Sequence, residues 1–65
     1  MANYQYKNLI GGKVKVINET SHGVVTRIDV ERGLIYVLFK RNREEVYSFP
    51  ESIEQQIIIP PKGNK

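Results

Sequence analysis

The chain has 65 residues, of which 40% are hydrophobic, a formal net charge of +3 and no cysteine. It can therefore form at most one small domain, which buries only about 60% of the surface of its unfolded chain. Disulfide bonds and thiolate metal sites are excluded, and a single histidine excludes a site made of several histidines from one chain. We expect a compact apolar core without a cofactor.

Two strands are predicted in the first half of the chain. Residues 13–16 alternate between lysine and valine, which is typical of a strand with one buried face. A turn cluster ending at Gly23 leads to a second predicted strand, residues 24–30. Strict alternation along this strand gives two sets: Val24, Thr26, Ile28 and Val30 on one face, and Val25, Arg27 and Asp29 on the other.

Two hairpin connections are predicted next. Glu31-Arg32-Gly33 is a tight turn that leads to the most apolar strand, residues 34–40. Residues 41–44 form the following turn, and residues 45–49 form a fourth strand. Pro50 ends that strand because proline has no N–H to donate to a ladder.

The last part of the chain predicts a helical turn and a short strand. Residues 50–53 are expected to form a single 3₁₀ turn, and residues 56–59 form a fifth strand rich in β-branched side chains. One of the three isoleucines at 57–59 must face away from the core. A helix over residues 51–59 is the less favoured alternative, because three isoleucines are followed by two prolines.

Five short, closely spaced strands favour a small, strongly bent all-β barrel. The sequence contains four short patterns in a fixed order: a glycine with a V-x-V strand, a turn glycine followed by V-x-x-I, a V-x-F strand, and an F-x-F-P-like strand end before a helical turn. The matching residues, in the same order, are Gly12, Val14 and Val16; Gly23, Val25 and Ile28; Val37 and Phe39; and Tyr47, Phe49, Pro50 and Ile53. This pattern resembles the SH3-like barrels, in particular Tudor/KOW-type modules such as the one at the C-terminus of UvrD-like bacterial helicases. His22-Gly23 stands where that family often carries phenylalanine-glycine.

The resemblance covers Gly11 to about Ile59. It implies a five-stranded SH3-like barrel with a short 3₁₀ turn before the last strand. It also implies a binding role and no catalysed reaction. Some relatives contact nucleic acid, and others dock proteins such as RNA polymerase. The expected organisation is an N-terminal segment at 1–10, the barrel at 11–60 and a flexible tail at 61–65.

Enzymatic activity is not expected. Ser21-His22 are neighbours in a turn, whereas a nucleophile and its base must be oriented across a packed pocket. Glu44-Glu45 lie at a hairpin shoulder, and a chain this short cannot build a deep cleft around them. Gly11-Gly12-Lys13 lacks the spacing of a phosphate-binding loop.

Nucleic acid is one candidate partner. Six cations could contact phosphate, three on the polar phases of the first two strands and three at the second hairpin tip: Lys13, Lys15 and Arg27, then Lys40, Arg41 and Arg43. Tyr36 could stack on a base beside them. The alternative is that these side chains only keep the strands soluble, with Glu44 and Glu45 neutralising much of the tip.

A protein is the other candidate partner. By the resemblance, Ile35, Val37 and Phe39 face the core, so that Leu34, Tyr36 and Leu38 face outward. An exposed apolar set of this kind marks a partner or homodimer surface. The alternative is that the N-terminal segment covers it through Tyr4, Tyr6 and Leu9.

The sequence therefore predicts a non-enzymatic module that binds protein or nucleic acid in DNA or RNA transactions. A structural or homo-oligomerisation domain with an apolar dimer surface is the alternative. No apolar run approaches the roughly 18 residues of a membrane span, and the N-terminus lacks the apolar region of a signal peptide. We expect a cytoplasmic bacterial or phage-like protein without membrane association.

Overall fold

The computed structural model describes residues 9–60, apart from the side chain of Arg41. Five strands form one antiparallel sheet in the order β4-β3-β2-β1-β5. The strands are β1 Lys13–Val16, β2 Gly23–Asp29, β3 Leu34–Phe39, β4 Arg43–Ser48 and β5 Ile58–Ile59. The predicted all-β class and five strands are thus confirmed. Within residues 9–60, β4 and β5 do not pair with each other, so the sheet is not closed into a barrel.

One face of the sheet carries the core. Alternation in β1 and β3 buries the predicted side chains, and the helical turn and β5 add two more. The buried apolar residues are Val14, Val16, Val25, Ile35, Val37, Phe39, Phe49, Ile53 and Ile58. Tyr47, on the core side of β4, is half-buried against this cluster. Within residues 9–60, nine apolar side chains therefore form a single core, and the sequence has no cysteine to crosslink it.

A β-bulge in β2 makes the predicted strict alternation wrong. Val25 lies opposite Val37, but Arg27 lies opposite Tyr36, so that Thr26 is the extra residue. The bulge shifts the phase by one residue, because two residues of β2 then oppose one of β3. As a result Val25 and Ile28 both face the core, three positions apart.

Gly23 allows β2 to start directly over the core. An added Cβ would lie 2.3 Å from the Val37 side chain and 2.9 Å from the Phe39 ring. Real Cβ atoms do not approach other heavy atoms this closely, so only glycine fits here without a shift of β3.

The helical turn before β5 is α1, Glu51–Glu54, and it is α-helical. The predicted 3₁₀ turn at 50–53 is therefore not confirmed. The Ile53 N–H does bond to the Pro50 carbonyl, but the Glu54 N–H bonds to the same carbonyl four residues back, which makes the turn α-helical. A 3₁₀ turn is found instead at Lys40–Asn42, in the β3–β4 connection. The peptide bond between Phe49 and Pro50 is cis.

A Schellman motif ends α1. Gln56 has φ = 62°, its N–H bonds to the Ile53 carbonyl, and the Ile57 N–H bonds to the Ser52 carbonyl. This turn leads into β5, where Ile58 is fully buried and Ile59 is 45% exposed. The expectation that one of the three isoleucines faces away from the core is confirmed.

The chain before β1 also contacts the core. Leu9 packs against the buried cluster, and Ile10 forms a parallel bridge with Val25. Tyr4 and Tyr6 of the predicted cover lie outside the described residues, as does the predicted tail at 61–65. Leu9, the third residue of that cover, packs on the core instead.

Candidate interaction surface

The face of the sheet opposite the core is called the outer face here. Residues that lie directly opposite each other on paired strands share a face. Three such rows cross the outer face: Lys13–Val24–Leu38–Glu44, Arg27–Tyr36–Val46 and Asp29–Leu34–Ser48. Each row therefore combines apolar side chains from the middle strands with polar or charged side chains.

Apolar side chains from three strands form a continuous patch on the outer face. The predicted protein-binding residues Leu34, Tyr36 and Leu38 all lie in it and are half-buried. Val24 is half-buried beside Leu38, and Val46 is 48% exposed beside Tyr36. These five residues are called the apolar stripe, and Tyr36 occupies its central row.

Arg27 is held against the apolar stripe. Its guanidinium lies over the Tyr36 ring, 5.1 Å from the centroid, a cation–π arrangement. The same guanidinium lies 3.5 Å from a carboxylate oxygen of Asp29, which also lies 4.0 Å from Arg32. The charge of Arg27 is thus partly compensated within the sheet.

Lys13 and Lys15 are exposed on the outer phase of β1. Neither forms an ion pair within residues 9–60. Lys13 lies opposite Val24, and Lys15 lies opposite Ile59 of β5. Arg27 is three residues farther along β2 than Val24, so the three predicted cations share a face but border different parts of it.

The hairpin tip is organised by Arg43. Its guanidinium lies 2.7 Å from Glu19 in the β1–β2 loop and 2.9 Å from Glu45 on its own strand. It also lies over the Phe39 ring, 4.5 Å from the centroid. Hydrogen bonds to Glu19 and Glu45 raise the pKa of Arg43. Among the other predicted tip residues, Lys40 is exposed, and the side chain of Arg41 lies outside the described part of the chain.

Tyr47 lies next to this charge cluster. Its phenol has a raised pKa, first because burial disfavours the phenolate and then because Glu19 and Glu45 repel it, while Arg43 acts in the opposite direction. The neutral phenol is therefore favoured in the folded state.

A cleft of about 480 Å³ lies beside β4, where the sheet is open. It is lined by Val46, Tyr47, Ser48, Glu51, Ser52, Gln55 and Ile57. The Ser52 hydroxyl donates a hydrogen bond to the Ser48 carbonyl and so fixes α1 against the end of β4. The cleft thus has one wall from β4 and one from α1.

Residues 9–60 contain no group of three or more histidine, cysteine or acidic side chains placed to hold a metal ion. That part of the chain also has no helix of the length and apolarity that a membrane span requires. Comparison with family models, curated proteins and solved structures found no match to this chain.

The structure adds residues that the sequence analysis did not single out. Val24 and Val46 complete the apolar stripe, and their alternation with inward-facing neighbours is a signal that was available in the sequence. Glu19 gives no such signal, because it precedes its partner Arg43 by 24 positions and the contact depends on how the β1–β2 loop folds back.

Proposed function

We propose that the chain is a non-enzymatic protein-interaction module of the SH3-like type, and that its outer face contacts the partner. The strand order and the helical turn before β5 support the SH3-like relationship. DNA or RNA transactions are the proposed setting, on the basis of the resemblance to Tudor/KOW-type modules.

The apolar stripe carries this proposal. Tyr36 lies in its centre between Arg27 and Val46, and aromatic and arginine side chains are the groups that most often anchor protein interfaces. Charged groups of both signs border the stripe, as in the polar rim of a protein interface. Lys13 and Arg27 supply the positive groups, and Asp29 and Glu44 the negative ones.

The same charges make nucleic acid the weaker candidate. Asp29 and Glu44 share the outer face with the cations and would repel a phosphate backbone. Arg43, a cation of the hairpin tip, is engaged by Glu19 and Glu45. Lys13 and Lys15 remain as unpaired cations on this face within residues 9–60.

The test compares three immobilised forms of the protein in a bacterial extract: wild type, Tyr36→Glu and the control Ile17→Glu. Ile17 is 55% exposed in the β1–β2 loop, away from the stripe. Proteins retained by wild type and control but lost with Tyr36→Glu support the proposal. Equal retention by all three forms contradicts it.

A parallel titration with single- and double-stranded oligonucleotides tests the competing ligand. We expect no binding that depends on the outer-face cations. Binding that weakens steeply with salt, and is lost in Lys15→Glu/Arg27→Glu, would replace the proposal with a nucleic-acid role.

A second copy of the chain is a specific alternative occupant, because the first row of the outer face is self-complementary. Lys13 stands at one end of this row and Glu44 at the other. Two copies packed face to face, with the two-fold axis parallel to β3, would place Lys13 opposite the partner's Glu44. Sedimentation at micromolar concentration would then give twice the monomer mass, reduced to the monomer by Lys13→Glu and restored by Lys13→Glu/Glu44→Lys. A monomeric wild type removes this alternative.

A further inference from the structure

We propose that the open edge of β4, with the cleft beside it, binds an extended lysine- or arginine-rich peptide as an added strand. This site shares only Val46 with the apolar stripe and does not depend on the function proposed for the stripe. Three features support this site: the backbone pattern of β4, the shape of the cleft and the charge of the segment.

The backbone pattern follows from one hydrogen bond. Gly33 faces Phe49 across the hairpin, and the Phe49 N–H donates to the Gly33 carbonyl at 2.7 Å. Facing pairs in an antiparallel ladder alternate between hydrogen-bonded and non-hydrogen-bonded. Alternate residues of β4 therefore bond to β3, and the remaining ones direct their N–H and C=O groups away from it: Glu44, Val46 and Ser48.

Only part of this edge is already used. The Ser48 carbonyl accepts the Ser52 hydroxyl, as expected if it points away from β3. No other strand within residues 9–60 pairs with β4. Glu44 and Val46 thus each present one donor and one acceptor, and such an edge is a template for another extended chain.

The cleft gives an added strand room for its side chains. Successive side chains of a strand point to opposite faces, so one row would lie beside Glu44 and Val46 on the outer face. The other row would lie over the cleft, whose walls include Tyr47, Ile57 and Glu51. The methylene groups of lysine or arginine can pack on such apolar walls while the charged end remains near a carboxylate.

The charge of the segment indicates a basic ligand. Residues 44–54 contain four glutamates and no lysine or arginine: Glu44, Glu45, Glu51 and Glu54. Glu45 is engaged by Arg43, but the other three form no ion pair within residues 9–60. A nucleic acid is disfavoured by these carboxylates, and a second β4 strand would bring in a segment with the same excess of glutamates.

The experiment uses a capped six-residue peptide of alternating lysine and valine, which matches the six residues of β4. Two controls are the same peptide with glutamate in place of lysine, and the lysine peptide with alternate backbone nitrogens methylated. We expect the lysine peptide to slow hydrogen exchange at the Glu44 and Val46 amides and to shift residues that line the cleft. Neither control should do so. Equal binding of the methylated peptide would overturn strand addition, and equal binding of the glutamate peptide would overturn the basic preference.

Variants of the protein locate the site. Glu51→Gln should weaken binding about threefold, as expected for loss of one exposed ion pair, whereas Glu31→Gln in the β2–β3 turn should not change it. Val46→Pro should leave the ladder with β3 intact, because that N–H points outward, and should abolish binding. Tyr36→Ala, which removes the centre of the apolar stripe, should bind the peptide like wild type.

Three results would contradict the proposal. One is unchanged affinity in Val46→Pro when its amide spectrum shows a folded protein. Another is loss of peptide binding in Tyr36→Ala alone, which would move the contact to the outer face. The third is slow hydrogen exchange of the Glu44 and Val46 amides in the free protein that becomes fast when residues 61–65 are deleted. That result would mean that the chain's own basic C-terminal residues already occupy the edge.

Discussion

Arg43 lies 2.7 Å from Glu19 while its guanidinium covers the ring of Phe39 at 4.5 Å from the centroid. One side chain therefore connects the β1–β2 loop to β4 and shields the end of the core at the same time. Because Arg43 also contacts Glu45, its planar group satisfies two carboxylates that β4 and the loop would otherwise leave unpaired.

This contact predicts that Arg43→Ala lowers the melting temperature and Arg43→Lys lowers it less, since lysine keeps the charge but cannot form the same paired hydrogen bonds or stack. Added salt should reduce the difference in melting temperature between Arg43→Ala and wild type, because salt screens the ion pairs of Arg43. The control is Arg32→Ala, whose side chain is 75% exposed and 4.0 Å from Asp29, and which should change little. Equal melting temperatures for Arg43→Ala and Arg32→Ala would contradict the account.

Gly23→Ala tests the close approach of β2 to β3. The added methyl group would overlap the side chains of Val37 and Phe39, so we expect a loss of about 1–3 kcal/mol in the free energy of unfolding. Urea denaturation measures it, with His22→Ala at the exposed neighbouring position as control. A loss no greater than that of the control would mean that β2 and β3 lie farther apart at Gly23 than the structure shows.

Gln56→Gly tests the left-handed residue of the Schellman motif. A non-glycine residue with φ = 62° costs about 1 kcal/mol, which glycine avoids. The variant should therefore be more stable than wild type in thermal or urea unfolding. Gln55→Gly, at a position with φ = −89°, should be less stable. Destabilisation by both substitutions would contradict the assigned conformation of Gln56.

Tyr47 predicts a loss of stability at high pH. Its pKa in the folded state lies above its ordinary value of about 10, so the folded state resists ionisation. The contribution of the neutral Tyr47 phenol to the free energy of unfolding is complete below the unfolded-state pKa. It is lost as the pH rises through the folded-state pKa. Over this pH range, the free energy of unfolding of Tyr47→Phe should decrease less steeply with pH than that of wild type. Parallel curves for the two proteins would show that Tyr47 does not carry the shift.

Much of the fold could be predicted from the alternation of apolar and polar residues. β1 and β3 are regular, so their buried positions followed directly, and the turn residues marked the connections between strands. The second half of β2 could not be predicted this way, because the bulge at Thr26 reverses the phase and no residue type in that strand requires a bulge. The turn before β5 was predicted in the right place but as a 3₁₀ turn and not an α-helical one, which depends on whether the N–H of Glu54 reaches Pro50.

Alternation predicts which side chains of a regular strand face outward, but it does not predict which residues become neighbours across strands. Leu34, Tyr36 and Leu38 follow from the apolar outer phase of β3. Their neighbours come from β2 and β4, and those depend on strand register. The role of Arg43 depends on the loop that carries Glu19, and the open edge of β4 depends on the sheet not closing onto β5.

Crosslinking from the outer face measures directly whether a protein contacts it. A photoreactive benzophenone side chain is placed at position 38 in one form of the protein and at the control position 17 in another. Each form is irradiated in a bacterial extract and treated with nuclease. We expect adducts at position 38 that resist nuclease and are absent at position 17. Adducts removed by nuclease, or equal adducts at both positions, would contradict the proposed protein contact.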